Sequence, residues 1–170
     1  MKLIRFDEID ELEYLFYIKS WEDSIDGIVP IASGRAESSF KDFLKRLYER
    51  ETEKIREKGL VPATLYFLVD DTNKIYGALD IRHELNEYLE NFGGHIGYGI
   101  IPSERQKGYG KLQLNLGLRK AKELGLKKVL ITCDDCNTGS SKVIESCGGI
   151  YQNTVCDTNN QKIRRYYIEV

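Results

Sequence analysis

The chain has no long apolar run and little excess charge, and each shortage removes a class of protein. Because no apolar stretch approaches the length that spans a bilayer, we expect no transmembrane helix. The formal net charge of −2 gives no general attraction to nucleic acid or to an anionic membrane, so neither is an expected partner. The N-terminus is acidic within ten residues and has neither the basic start nor the apolar core of a signal peptide, which predicts a cytoplasmic location.

Cysteine is also scarce, with four residues in the chain. Cys133 and Cys136 form a C-x-x-C pair, but a structural zinc site needs a second ligand pair at suitable spacing. We therefore expect no metal, and reduced, mostly buried thiols. The 170 residues, 41% hydrophobic and 31% charged, are typical of a soluble globular protein and predict a single domain over 1–170.

Hydrophobic periodicity predicts an α+β fold, with helices flanking a central mixed, mostly antiparallel sheet. The predicted elements are a strand at 1–6, helices at 8–20 and from a Ser38 or Ser39 cap to Gly59, strands at 63–69, 75–81 and 94–101, a helix at 108–124, a strand at 128–132, a helix capped by Asn137, and strands at 150–156 and 163–170. Because a helix joins the strands near residues 95 and 132, these strands are expected to be parallel neighbours. The last strand, 166–170, could pair across a homodimer.

The most informative segment is 100–111, where an apolar strand ends at Pro102 and a polar turn leads through Gly108 and Gly110 into a leucine-rich helix. Small residues let the backbone approach an anion closely, and the N–H groups that open a helix favour a pyrophosphate. A P-loop is excluded because Arg105 replaces its first glycine and Leu112 its hydroxyl residue. A dinucleotide fingerprint is excluded because its third glycine would be Gln113.

Residues 105–110, Arg-Gln-Lys-Gly-Tyr-Gly, match the pattern [RQ]-x-x-G-x-[GA]. With the strand and proline before it, and the helix, apolar strand and Asn-capped helix ending at Gly148-Gly149 after it, the chain resembles the GCN5-related N-acetyltransferase (GNAT) superfamily over residues 63–155. The resemblance implies a GNAT domain that binds acetyl-CoA. The implied cofactor contacts are Ile100, Ile101, Arg105, Gln106, Lys107, Gly108, Tyr109, Gly110, Lys111, Asn137 and Ser140. Asn137 can equally be only a helix cap.

The resemblance also implies how the thioester is activated. A backbone N–H of Ile100 or Ile101 would hold the carbonyl oxygen. Many members carry a proton-donating tyrosine seven residues after the asparagine that matches Asn137, but Ile144 stands there in this chain. Tyr151 and Tyr109 are alternatives by residue type only, although Tyr109 sits inside the loop and suits packing better, and water is another.

His95 is the candidate general base, because it lies on the strand that leads to the cofactor and its ordinary pKa suits proton transfer near neutrality. Strand alternation places His95, Gly97 and Gly99 on one face, where the glycines would leave a groove for the acceptor. A satisfied structural histidine is the alternative. Trp21, His83 and Glu84, with the 24–38 loop, are candidate acceptor contacts, although residues 82–90 can equally be a short surface helix.

Three functions remain open from the sequence. The first is an acetyl-CoA-dependent N-acetyltransferase acting on a primary amine of a small molecule or peptide, by direct transfer in a ternary complex and without a metal. The second is a non-catalytic coenzyme-A-binding regulatory module, since the usual tyrosine is absent. The third is transfer of another acyl group, or transfer to a hydroxyl. The sequence does not single out an acceptor.

Overall fold

The structure is a computed structural model that describes residues 1–25, 27–34 and 39–170. Its strands and helices follow the expected order. The elements are β1 (Lys2–Arg5), α1 (Glu11–Lys19), α2 (Phe40–Arg50), β2 (Ala63–Val69), β3 (Ile75–Arg82), β4 (Ile96–Ile100), α3 (Tyr109–Glu123), β5 (Lys128–Asp134), α4 (Thr138–Ser146), β6 (Ile150–Cys156) and β7 (Lys162–Glu169). This order confirms the predicted α+β class. No helix in the described ranges is both long enough and apolar enough to span a membrane.

Helix α2 begins and ends at identifiable signals. Ser39 is its N-cap, with the Ser39 hydroxyl accepting from the Asp42 N–H at 3.1 Å; the alternative cap, Ser38, lies outside the described residues. The helix stops at Arg50 rather than at the expected Gly59. Residues 53–58 form a separate 3₁₀ helix, which Gly59 ends in a left-handed conformation with φ of +73°.

The strands form two antiparallel sheets, in the orders β1-β2-β3-β4 and β5-β7-β6. Strands β4 and β5 meet where the His95 N–H donates to the Leu130 carbonyl at 2.7 Å. Beyond this contact they belong to different sheets, and a cleft lies between them. The expected parallel pair is therefore limited to one point of contact instead of a continuous ladder.

Strand β7 lies in the middle of its sheet, hydrogen-bonded to β5 along one edge and to β6 along the other. Tyr166 and Tyr167 are paired on both sides and have no edge free for a second copy, whereas Ile168 and Glu169 pair with β5 alone, so dimer pairing through the last residues stays a prediction. The outer edge of this sheet belongs to β6, where Ile150 and Tyr151 are 65% and 52% exposed.

Two hydrophobic cores hold the helices to the sheets. The first is rich in aromatic rings beneath α1 and α2, where Tyr14 stacks on Phe43 with centroids 4.3 Å apart and meets the edge of Phe67. The second joins α3 and α4 to both sheets and includes Leu114 and Ile144. Each fully buried side chain of this size contributes about 1.5–3 kcal/mol, so the second core carries much of the attachment between the two sheets.

A buried carboxylate ties α2 to β3. Asp80 is fully buried and accepts from both terminal nitrogens of Arg50, at 2.9 and 3.0 Å, while the Arg82 Nε lies 3.2 Å away. Arg82 also donates to the Gly93 carbonyl at 3.2 Å. A carboxylate held in this way is costly to neutralise, because its two cationic partners would remain partly buried.

Candidate active site

A cleft of about 940 Å³ lies between β4 and β5. Its walls include the open edge of β4, the end of β5, the first turns of α3 and α4, and the loop that joins β4 to α3, with Val29, Phe92 and Ile163 of β7 completing them. A cleft of this size can hold a large cofactor or substrate.

The N-terminus of α3 opens into this cleft with its amides unpaired by any side-chain cap. Gly108 is the N-cap and has φ of +85°, a left-handed conformation that a side chain would strain. The N–H groups of the first turn, at Tyr109, Gly110 and Lys111, have no partner within the helix. This arrangement can cradle an anion, as the sequence predicts for this turn.

The cations of the loop differ in what they can do. The Arg105 Nε donates to the Ile100 carbonyl at 3.2 Å, and its guanidinium lies 5.6 Å from the centre of the Trp21 ring, so this side chain ties the loop to the body of the protein. The Lys107 ammonium is paired with Glu104 at 2.9 Å. Lys111 lines the cleft and forms no ion pair within the described part of the chain, which makes it the cation best placed for a ligand.

The other two residues of the loop also have distinct places. Gln106 lines the cleft and adopts a left-handed conformation with φ of +62°. The ring of Tyr109 packs edge-on against Tyr76 with centroids 5.0 Å apart, so its side chain has a packing role and its backbone N–H is the group available to a ligand.

Strand β4 presents an open backbone edge to the cleft. The Ile101 N–H donates to the Tyr76 carbonyl at 3.0 Å, and the Arg82 N–H donates to the His95 carbonyl at 2.8 Å. Because bonded pairs alternate along an antiparallel ladder, residues 97, 99 and 101 point their amides at β3, whereas Tyr98 and Ile100 point theirs away from it. Of the two N–H groups expected to hold a carbonyl oxygen, that of Ile100 is therefore available and that of Ile101 is used within the sheet.

The start of α4 forms the opposite wall. The Asn137 side-chain oxygen accepts from the Ser140 N–H at 2.9 Å, and both residues line the cleft. Asn137 is thus a helix cap that also faces the cleft, so its two expected roles are compatible. The Ser140 hydroxyl lies 3.1 Å from that of Tyr98 and links α4 to β4.

His95 lies beside the cleft but does not line it. Its Nδ1 accepts the Leu130 N–H at 2.9 Å, which leaves the proton of the neutral ring on Nε2 and no free lone pair for a base. Burial lowers the pKa of His95, so the ring is neutral at physiological pH. This geometry favours the structural alternative.

Gly97 and Gly99 both line the cleft, but the space directly over Gly99 is occupied by the Val29 backbone. A methyl group added at Gly99 would lie 2.4 Å from the Val29 carbonyl oxygen, and one at Gly97 would lie 3.3 Å from the Arg82 guanidinium. These glycines allow the close approach of a loop and a side chain.

The three candidate acceptor contacts do not reach the cleft. Trp21 is 3% exposed and lies in the first core. His83 is half-buried against Thr64, with its Nε2 2.9 Å from the Thr64 hydroxyl. Glu84 pairs with Arg56 through two contacts of 2.8 Å on the surface. Residues 89–93 form a π-helical turn, which agrees with the alternative of a short surface helix.

The candidate proton donors expected from the sequence do not line the cleft. Tyr151 is half-exposed, and its hydroxyl lies 2.9 Å from that of Thr154, away from the cleft. Ile144 is fully buried in the second core. Sequence reasoning missed Tyr98, which lines the cleft and whose pKa burial raises to about 12. The signal available in the sequence was strand alternation, which places Tyr98 on the face of β4 opposite to His95, Gly97 and Gly99.

The cysteines are free thiols, of which Cys133 is buried, Cys147 is half-buried, and Cys136 and Cys156 are exposed. The expectation that most are buried is therefore only half right. Over residues 1–25, 27–34 and 39–170, no group of three or more His, Cys, Asp or Glu side chains is placed to hold a metal ion.

Comparison with known proteins gives the family. A family model described as "Acetyltransferase (GNAT) domain" matches residues 8–150. A search of curated proteins found no match. Among solved structures, a point mutant of spermidine N-acetyltransferase SpeG from Vibrio cholerae is 17% identical, with a TM-score of 0.65 over 99% of this chain and 95% of that one. The Vibrio cholerae enzyme in complex with CoA and spermine is 18% identical, with a TM-score of 0.64 and coverage of 99% and 94%.

A third structure, the dodecameric Vibrio cholerae enzyme in an intermediate state, is also 18% identical, with a TM-score of 0.64 and coverage of 99% and 92%. At these identities the likeness establishes the fold. The family match covers 143 of the 170 residues, from 8 to 150. The chain therefore belongs to the GNAT acetyltransferase family, whose members use acetyl-CoA.

Proposed function

We propose that this protein transfers the acetyl group of acetyl-CoA to a primary amine of a small-molecule or peptide acceptor, by direct transfer while both are bound. The observation that carries the proposal is the cleft, which has an uncapped helix N-terminus at one end and an open strand edge beside it. A diphosphate fits the first feature, and an amide-containing arm fits the second.

The chain offers each part of the cofactor a distinct set of groups. The N–H groups of Tyr109, Gly110 and Lys111 would hold the diphosphate, with charge from the Lys111 ammonium. The backbone of Tyr98 would pair with an amide of the pantetheine arm along β4, and the Ile100 N–H would contact the thioester end of the cofactor. Asn137 and Ser140 would contact the same arm from the other wall.

Acetyl-CoA supplies a thioester, which offers a carbonyl carbon to the amine and a thiol as leaving group. The Ile100 N–H is proposed to donate to the carbonyl oxygen, where negative charge develops as the amine attacks. Two cysteines line the cleft, the exposed Cys136 and the buried Cys133, and burial raises the pKa of the Cys133 thiol to about 11. A protonated thiol is a poor nucleophile, which argues against an acetylated Cys133 along the way.

A non-catalytic coenzyme-A-binding module is the second candidate. It is favoured by one observation, the buried Ile144 at the position where many family members have their tyrosine. Such a module would bind the cofactor and release no thiol in response to an amine.

The test is calorimetric binding of CoA, followed by thiol release from acetyl-CoA with a panel of amines. Spermine and spermidine belong in the panel because a structural neighbour was solved with CoA and spermine; amino acids and peptides with free N-termini test the other acceptor classes. Thiol release that depends on an amine supports the enzyme. Binding without such release across the panel supports the module, and absence of binding refutes both.

We further propose a single cytoplasmic domain that associates as a homodimer through β6, the edge strand with exposed Ile150 and Tyr151. Analytical ultracentrifugation of the wild type and of Tyr151→Lys tests this. Dissociation of the variant into monomers is expected, and a monomeric wild type contradicts the proposal.

A further inference from the structure

We propose that the Tyr98 hydroxyl donates a hydrogen bond to the departing sulfur of acetyl-CoA, an inference that rests on the function proposed above. Among the tyrosines in the described ranges, Tyr98 is the one that lines the cleft. The reaction leaves a thiolate that a nearby donor stabilises, and the position that often supplies this donor in the family is the buried Ile144.

The side chain of Tyr98 spans the cleft. Its ring packs against the second core, and its hydroxyl lies 3.1 Å from the Ser140 hydroxyl and 3.5 Å from the Ser140 carbonyl oxygen. The backbone of the same residue lies on the open edge of β4. A cofactor arm paired with that edge would pass beside the Tyr98 side chain, and we place its sulfur within reach of the hydroxyl.

The hydroxyl is in the protonation state that this role needs. Burial is the main reason that the pKa of Tyr98 rises to about 12, so the phenol keeps its proton across the physiological range. It can therefore donate to an anion. The Ser140 hydroxyl, itself both donor and acceptor, can hold the phenol in place before the sulfur becomes charged.

The step balances without an additional reagent. The amine nitrogen bonds to the carbonyl carbon as the carbon–sulfur bond breaks, and the electron pair of that bond stays on sulfur. The proton that sulfur finally holds is the one that the nitrogen loses. A relay through the Ser140 hydroxyl and the phenol of Tyr98 can carry this proton from nitrogen to sulfur, and Tyr98 is then protonated as it was at the start.

The experiment measures the ionisation of CoA bound to the protein, so it needs no knowledge of the acceptor. Thiolate absorbance is followed against pH for wild type and Tyr98→Phe, each saturated with CoA, and the signal with desulfo-CoA is subtracted to remove the protein's own cysteines. Tyr151→Phe is the matched control, because it removes a hydroxyl that lies outside the cleft.

We expect the bound thiol to ionise at a pH about one unit lower in wild type than in Tyr98→Phe, because a hydrogen bond from the phenol favours the thiolate. Tyr151→Phe should match the wild type. Once an acceptor is known, Tyr98→Phe should lower kcat at least about tenfold and leave the affinity for CoA within about twofold.

Equal ionisation in wild type and Tyr98→Phe overturns the role of Tyr98 and leaves the proposed function standing. Failure of the wild type to bind CoA refutes the proposed function, and this inference with it.

Discussion

Replacing Gly108 by alanine tests whether the turn before α3 holds the cofactor. Gly108 has φ of +85°, and a methyl group added there would meet nothing within 4 Å. The change therefore adds no clash, and its cost is the left-handed conformation, which is about 1–2 kcal/mol for a residue with a side chain. Relief of this strain would rotate the loop and move the N–H groups that follow.

The matched control is Gly125→Ala at the other end of the same helix. Gly125 has φ of +88° and also has nothing within 4 Å of an added methyl group. Both variants should thus lose about 1–2 kcal/mol of unfolding free energy in urea. Only Gly108→Ala should lose CoA affinity: two charge-assisted hydrogen bonds at about 1.5 kcal/mol each correspond to a Kd roughly a hundredfold higher.

Gly110→Ala supplies a third arm, because its methyl group would meet only Val143, at an ordinary contact distance of 3.5 Å. Alanine favours the helix by up to about 1 kcal/mol, so this variant should be more stable and still bind CoA. Calorimetry and urea unfolding measure both quantities. Wild-type CoA affinity in Gly108→Ala, with the expected loss of stability, would refute the placement of the diphosphate at this turn.

Three further predictions concern buried groups. Burial lowers the pKa of His95 in the folded protein, so the unfolded chain binds an additional proton as the pH falls, and the unfolding free energy should decrease below pH 6.5. His95→Gln should make this decrease smaller, and so should His83→Gln, because burial also lowers the pKa of His83. Thermal unfolding from pH 5 to 7 measures the effect of both variants. An unchanged slope in His95→Gln contradicts this. Asp80→Asn should destabilise the fold by about 3–5 kcal/mol in urea, since Arg50 and Arg82 lose their shared carboxylate; a loss below about 1 kcal/mol would disprove the reasoning. Ile144→Tyr should destabilise by about 1–3 kcal/mol through overpacking and should not raise turnover; faster thiol release would show that this position reaches the cofactor.

The order of elements could be predicted because its signals are local. Serine and asparagine caps, the glycine that follows α3 and the apolar run of β5 each act within a few residues. The uncapped start of α3 was predictable for the same reason, since the strand, the turn with Gly108 and Gly110, and the helix are contiguous in the chain.

The details of the site depend on contacts between distant residues, and these were not predictable. The Nδ1 of His95 is occupied by a backbone N–H 35 residues away, and the hydroxyl of Tyr98 meets one 42 residues away. Alternation assigns each side chain to a face of β4 but does not say what stands opposite. The division into two sheets is likewise a tertiary result, because it depends on where β4 and β5 separate.

That separation has a consequence for how the protein opens. Near the cleft, the sheets are joined through the backbone mainly at His95 and Leu130, and elsewhere by side-chain packing. A ligand bonded to both walls would add a link between the two sheets and so couple their local opening. Slower hydrogen exchange on saturation with CoA should therefore spread into β6, which contributes no residue to the cleft wall.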